Sequence, residues 1–148
     1  MLTIKAFLSN PHCQPVFGSS GAAAADLYAD IPAPLRLAPG ASVRVPTGLA
    51  LEIPAGYAGL IVPRSGLAAK YQVSVVNSPG LIDSDYRGAI SVLLENRGRL
   101  SFVLEPEERF AQLLLVPVPQ VEFAFVASPD DLSETARGAG GFGSTGQI

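Results

Sequence analysis

Turn-forming residues break this chain so often that no long helix fits in it. Fifteen glycines and thirteen prolines stand among 148 residues, and the apolar runs between them are short. Such punctuation predicts an all-β sandwich or barrel rather than a helical bundle. Ile4 to Leu8 reads as a first strand. Ala41 to Val62 reads as two hairpin-connected strands plus a third, with Pro46-Thr47-Gly48 and Pro54-Ala55-Gly56 as the turns. Ala89 to Glu95 and Leu100 to Leu104 read as a further pair, joined through Asn96-Arg97-Gly98-Arg99.

The stretch from Asn77 to Ile90 organises the rest. Gly80-Leu81-Ile82 runs into the turn formers Asp83-Ser84-Asp85, and the chain leaves through Tyr86 into Ala89 to Leu94. This predicts a tight hairpin, since Asp and Ser can hydrogen-bond their own backbone two residues on. Gly80 and Gly88, one on each arm, weaken an ordinary strand and suit a close approach to the backbone. A flat pocket with a carboxylate and an aromatic ring at its end would seat a planar ligand. A turn carrying two solvated aspartates explains the same residues, and on this stretch alone both readings stand.

Other stretches carry chemistry less openly. Ala22-Ala23-Ala24-Ala25 favours a helix on propensity, but Ser19-Ser20-Gly21 before it and Pro32 and Pro34 after it favour close-packed extended chain. Asp26 then points inward or is a solvated carboxylate. In Pro63-Arg64-Ser65-Gly66-Leu67-Ala68-Ala69-Lys70, Ser65 reads as the N-cap of one or two helical turns. Amides at such a start attract anions, with Arg64 beside them; a capped helix with a solvated arginine is the plainer reading. Arg109 to Val116 becomes strongly apolar, so Gln112 within it must bond a neighbouring backbone group or a ligand, at about 1–3 kcal/mol if left unpaired. Gly138, Gly140 and Gly143 spell a GxGxxG, but no strand leads in and no helix follows, which rules out the dinucleotide-fold reading. The glycines could instead wrap phosphates with successive N–H groups, or form a disordered terminus.

Composition bounds the partners. At this length one domain buries roughly two-thirds of its unfolded surface without a disulfide. Ten basic and 13 acidic residues give a net charge of -3, which argues against a nucleic-acid or anionic-membrane surface. A single His12 and a single Cys13 cannot build a usual metal site, and a lone cysteine suits a reducing compartment. Met1 to Lys5 lacks the features of a signal peptide, and no apolar run approaches the roughly 20 residues that span a bilayer. These features predict a soluble, cytoplasmic protein.

Taken together, five stretches resemble the ordered motifs of the trimeric dUTP pyrophosphatases. They are Ala24 to Ala29, Pro63 to Gly66, Gly80 to Gly88, Arg109 to Gln112, and Arg137 to Gly146. Each occurs once, in family order, across nearly the whole chain. The first departs from the family pattern, with Ala24 where glycine is usual.

The resemblance implies an all-β fold of distorted-barrel, jelly-roll-like (β-clip) type with one short helix, assembled as a homotrimer with shared sites. It implies a β-barrel domain over residues 1–133 and a glycine-rich arm over 134–148 that closes a neighbouring site. The activity implied is magnesium-assisted hydrolysis of dUTP to dUMP and pyrophosphate, which limits uracil incorporation into DNA and supplies dUMP for thymidylate synthesis. Asp83 would be the general base on the attacking water. Backbone groups of Gly80, Leu81 and Ile82 would read uracil with Asn77 in support, and Tyr86 would lie against the deoxyribose. Arg64, Ser65 and Gly66 would hold phosphates, and Gln112 would orient phosphate or water. Arg137, Phe142, Gly143, Ser144 and Thr145 would close over the nucleotide. Mg²⁺ would sit mainly on the phosphates, with Asp26 touching its water shell.

Two rivals share the fold. The dCTP deaminases resemble the chain around Asp83 but carry a catalytic glutamate where Leu93 stands, with Glu95 two residues on. A trimeric nucleotide-binding protein that had lost catalysis would need no water-activating carboxylate.

Overall fold

The computed structural model describes residues 2–141. Among these residues twelve strands and one α-helix follow one another. The strands are β1 (Lys5–Leu8), β2 (Val16–Phe17), β3 (Ala24–Tyr28), β4 (Leu35–Leu37), β5 (Ser42–Pro46) and β6 (Leu49–Glu52). After β7 (Tyr57–Pro63) and the helix α1 (Ser65–Tyr71) come β8 (Val73–Val75), β9 (Gly80–Ile82), β10 (Ser91–Asn96), β11 (Phe102–Leu104) and β12 (Arg109–Pro117). They form a five-stranded sheet, β2-β3-β12-β7-β9, a three-stranded sheet, β5-β10-β8, and two strand pairs, β1-β6 and β11-β4. Every pairing is antiparallel. The expected all-β class holds, and among the described residues the sheets wrap one core without closing into a single ladder.

Small side chains explain the centre of the large sheet. The second half of the alanine run is strand, not helix: Ala24 and Ala25 open β3, which lies between β2 and β12, with Ala25 and Leu27 buried. Pairing on both sides outweighs alanine's weak intrinsic preference for helix. The core proper is aliphatic, with Leu27, Val45, Leu49, Ile53, Leu94, Leu104 and Phe110 almost fully enclosed.

The expected hairpins are a correction. β5 pairs with β10 and β6 with β1, so Pro46-Thr47-Gly48 carries the chain from one sheet to another. The buried Thr47 hydroxyl donates to Ile90 O at 2.8 Å and accepts from Leu49 N at 3.3 Å, which holds that corner. Gly48, at φ +70, could carry no side chain there, since a Cβ would lie 2.7 Å from Asp30 Oδ2. β10 and β11 are likewise not paired, because β11 joins β4. At that corner the Asn96 amide donates to Leu37 O and Leu100 O, and its oxygen accepts from Gly98 N. Each corner is fixed by a buried polar side chain whose partners lie across the core, where a lost bond is costly.

Cys13 is buried and unpaired with another cysteine. Burial, then the charges of Asp30 and Glu107, push its thiol pKa up. Thiolate is the reactive form, so burial and the raised pKa both disfavour reaction at this cysteine. Among the described residues no helix is long and apolar enough to cross a membrane. Beyond β12 the chain runs exposed, with Val121, Phe123 and Phe125 bare to solvent.

Candidate active site

Two groups of residues emerge, on different parts of the large sheet. The first surrounds the bend after β9. It was expected as a hairpin, yet β9 pairs with β7 while β10 pairs with β5 and β8. The two arms therefore belong to different sheets, and a cavity of about 250 Å³ opens between them. Asn77, Gly80, Leu81, Ile82, Asp83 and Tyr86 all line it. Leu93, where the deaminases carry a glutamate, also lines it, as do Ile61, Val75 and Ala89, which the sequence did not single out. Those three are ordinary apolar residues, without a local signal.

Backbone contacts hold the bend. Tyr86 N donates to Asp83 O at 3.2 Å. Arg87 Nη1 donates to Ser84 O at 2.7 Å and to Tyr86 O at 3.0 Å. The Tyr86 hydroxyl donates to Ala89 O at 3.1 Å, which swings the ring along the pocket wall. A side chain at Gly88 would collide with that ring. At Gly80 a Cβ would stand 3.3 Å from Ile61 Cβ and 3.4 Å from the Asn77 amide nitrogen, so glycine keeps the floor open. Asp83 is exposed at the rim.

The second group centres on Asp26, which is buried at 7% exposure. On the β3–β12 ladder Asp26 stands directly opposite Gln112, so the two side chains share one face. The Gln112 amide donates to Asp26 Oδ1 at 3.0 Å. Arg64 Nε lies 3.3 Å from the same oxygen, and Arg109 Nη1 lies 3.3 Å from Oδ2. Arg64 Nη1 also donates to Arg109 O at 2.8 Å. Gln112's partner is therefore a carboxylate, not the neighbouring backbone group that the sequence offered.

Arg109 was missed as a site residue for a geometric reason. Strict alternation from Gln112 would put Arg109 on the opposite face. The register shifts between Arg109 and Ala111, however, so Arg109 stands opposite Tyr28. A bulge of this kind re-aims a side chain.

Ser65 is also a correction. Arg64 occupies the N-cap position, without a side-chain cap bond, and Ser65 is the first helical residue. A Cβ at Gly66 would meet nothing within 4 Å. In the tail, Arg137 Nε donates to Gly140 O at 2.8 Å and Gly138 N to Thr135 Oγ1 at 3.1 Å. Both are contacts of the tail with itself. Phe142, Gly143, Ser144 and Thr145 lie outside the described residues.

The comparisons with known proteins point one way. A family model described as dUTPase matches residues 12–146. The chain is similar to the deoxyuridine 5'-triphosphate nucleotidohydrolase of Chlamydia pneumoniae, 52% identical over 132 residues, covering 89% of this chain and 90% of the relative. Its fold matches the Staphylococcus bacteriophage 80alpha dUTPase solved with dUPNHPP, at a TM-score of 0.87 and 25% identity over 99% of each chain. It also matches a variant dUTPase from phage phi11 of S. aureus, at a TM-score of 0.77 and 21% identity, covering 87% and 99%. That structure is described as revealing the coordination of a structural Mg(II) ion.

Proposed function

The chain belongs to the dUTPase family, and from that premise we propose that it hydrolyses dUTP to dUMP and pyrophosphate with Asp83 as general base. The observation that carries the reading is the pocket between β9 and β10. A planar base fits between the backbone of Gly80-Leu81-Ile82 and the wall formed by Ala89 and Leu93, with Asn77 at its edge. The Asp83 carboxylate then sits at the rim, where the phosphate chain leaves. It takes a proton from a water, the water oxygen bonds the α-phosphorus, and the bond to the bridging oxygen breaks to release pyrophosphate.

The deaminase rival needs a carboxylate in the pocket. Leu93 lines it instead, and Glu95 pairs with Arg97.

Asp26, Arg64 and Gln112 make no side-chain hydrogen bond or ion pair with Asp83 or Tyr86 among the described residues, and Arg137 bonds only within the tail. One chain thus offers a base pocket and a phosphate-binding group as separate pieces. A homotrimer whose sites draw on more than one subunit joins them. The exposed alternating Val121, Phe123 and Phe125 give such an assembly apolar surface to bury. In this reading residues 1–133 are the hydrolase domain and residues 134–148 the arm that closes a neighbour's site. The arm's Arg137, Phe142, Gly143, Ser144 and Thr145 meet the phosphates and base. Ser65 and Gly66 take part in holding phosphate; nothing among the described residues packs where a Gly66 side chain would go. The setting is the cytoplasm, where the product supplies dUMP and uracil is kept out of DNA.

Magnesium fits this donor set in one way only. No cluster of three or more His, Cys, Asp or Glu side chains stands among the described residues, so the triphosphate would hold the ion. A carboxylate offers about four lone-pair sites. Gln112 and Arg64 engage Oδ1 of Asp26 and Arg109 engages Oδ2, which leaves a lone pair for one water of the ion's shell. Bound there, magnesium would neutralise charge on the leaving pyrophosphate.

The test is to incubate the protein with each nucleoside triphosphate and magnesium. Pyrophosphate from dUTP alone is expected; ammonia from dCTP, or no product, overturns the reading. Tyr86→Ala should raise the kcat/KM for UTP relative to dUTP by about tenfold or more, the scale on which a pocket separates close analogues. An unchanged ratio would remove Tyr86 from sugar selection.

A further inference from the structure

We propose that Arg87 is a positioning residue, whose guanidinium fixes the bend carrying Asp83 and Tyr86 without touching the nucleotide. The proposal rests on the dUTP reading above and deepens it. One side chain sets both the line of attack on phosphorus and the choice of sugar.

The bend has little else to hold it. β9 ends at Ile82 and β10 begins at Ser91, so the residues between them belong to no ladder. None of the side chains from Asp83 to Ala89 is buried, and core packing therefore does not fix them. Within the span one backbone bond closes the turn, from Tyr86 N to Asp83 O at 3.2 Å. The Tyr86 hydroxyl braces the pocket side on Ala89 O. Among the described residues the other bonds inside the span come from Arg87, whose Nη1 donates to Ser84 O at 2.7 Å and to Tyr86 O at 3.0 Å.

That geometry suits a guanidinium. Its terminal nitrogen carries two hydrogens in one plane, so a single Nη1 serves both carbonyls, and a charged donor makes a bond about twice as strong as a neutral one. Arg87 has no carboxylate partner among the described residues, so no ion pair draws it away. A held carbonyl holds its whole peptide plane. The two planes pinned here are the one just after Tyr86 and the one after Ser84, beside Asp83. The base pocket does not include Arg87; its side chain lines the grooves behind the bend, with Lys5 and Glu52. It therefore acts through Asp83 and Tyr86 rather than on the substrate.

The test separates the bend from the fold. Arg87→Met keeps the stem and removes the donors, and Arg87→Lys keeps the charge without the planar fork. For the wild type and both variants, kcat and KM for dUTP and UTP are measured beside the melting temperature and the exchange rate of the Tyr86 amide hydrogen. In Arg87→Met the kcat for dUTP should fall about 10- to 100-fold, the scale of a misplaced reacting group. The preference for dUTP over UTP should narrow about threefold or more, part of what removing the Tyr86 ring would cost. The Tyr86 amide should exchange about tenfold faster as its turn opens locally. Melting should stay within about 2 °C, as for a surface substitution, and Arg87→Lys should lie between the other two. Unchanged kcat and sugar preference overturn the proposal. So does an equal loss for both nucleotides with a falling melting temperature, the mark of general damage. If Arg87→Met does not fold, Arg87→Lys decides: a smaller form of the same split supports the proposal, and wild-type behaviour defeats it. Should the wild type release no pyrophosphate, the catalytic reading falls while the amide exchange still decides this one, and a wild-type rate in Arg87→Met overturns it.

Discussion

Asp83→Asn is expected to bind a non-hydrolysable dUTP analogue about as well as the wild type while its kcat falls by about 10²–10⁴, the usual worth of a positioned general base. The substitution is close to isosteric, and the bend does not depend on the carboxylate. Tyr86 N bonds the Asp83 carbonyl, and Arg87 bonds the carbonyls of Ser84 and Tyr86. Asp83 is also exposed, so little folding free energy rides on its charge. What the variant loses is the acceptor for the water's proton. Pyrophosphate release under saturating dUTP, paired with an equilibrium titration of the analogue, separates the two effects. A kcat within tenfold of wild type would take Asp83 out of the chemistry. Lost binding with an unchanged kcat would make it a recognition residue instead.

What the sequence could and could not disclose follows from range. The pocket residues Asn77 to Tyr86 were legible because they lie in ten consecutive positions, and glycines mark where a backbone must stay bare. Strand positions were legible for the same local reason. Strand partners were not. Pro46-Thr47-Gly48 has the chemistry of a hairpin turn, but the Thr47 hydroxyl finds Ile90, 43 residues away. Asn96 fastens its corner to Leu37, 59 residues back. Nothing in a turn tripeptide tells a hairpin from a change of sheet; the deciding contact is distant. Gln112 stood out as a polar residue in an apolar run, yet its partner Asp26 is 86 residues away. Arg109 was hidden by the bulge, which reverses the face that period-two alternation assigns it. Asp26, Arg64 and Gln112 are thus residues the sequence noticed singly and could not assemble, and Arg109 was not among those it noticed.

Ending the chain at Ser133 should leave a folded trimer with little activity. The described part of the arm past that point is exposed apart from Gly140 and Gly141, and its bonds run from Arg137 to Gly140 and from Gly138 to Thr135. Cutting it removes no core burial, and Val121, Phe123 and Phe125 stay in place for assembly. The melting temperature and the mass in solution should therefore match full length. Turnover should drop by about a hundredfold or more, the scale of losing one preorganised donor to developing charge, if the arm is the lid proposed above. Turnover equal to full length would defeat the arm. Mixing then asks whose site the arm closes. Asp83→Asn chains keep the arm but not the base, and truncated chains keep the base but not the arm. If each arm serves a neighbour, co-refolded trimers contain complete sites and turn over faster than the two parents summed. If each arm folds back on its own subunit, no mixed trimer has a complete site, and the mixture stays as slow as its parts.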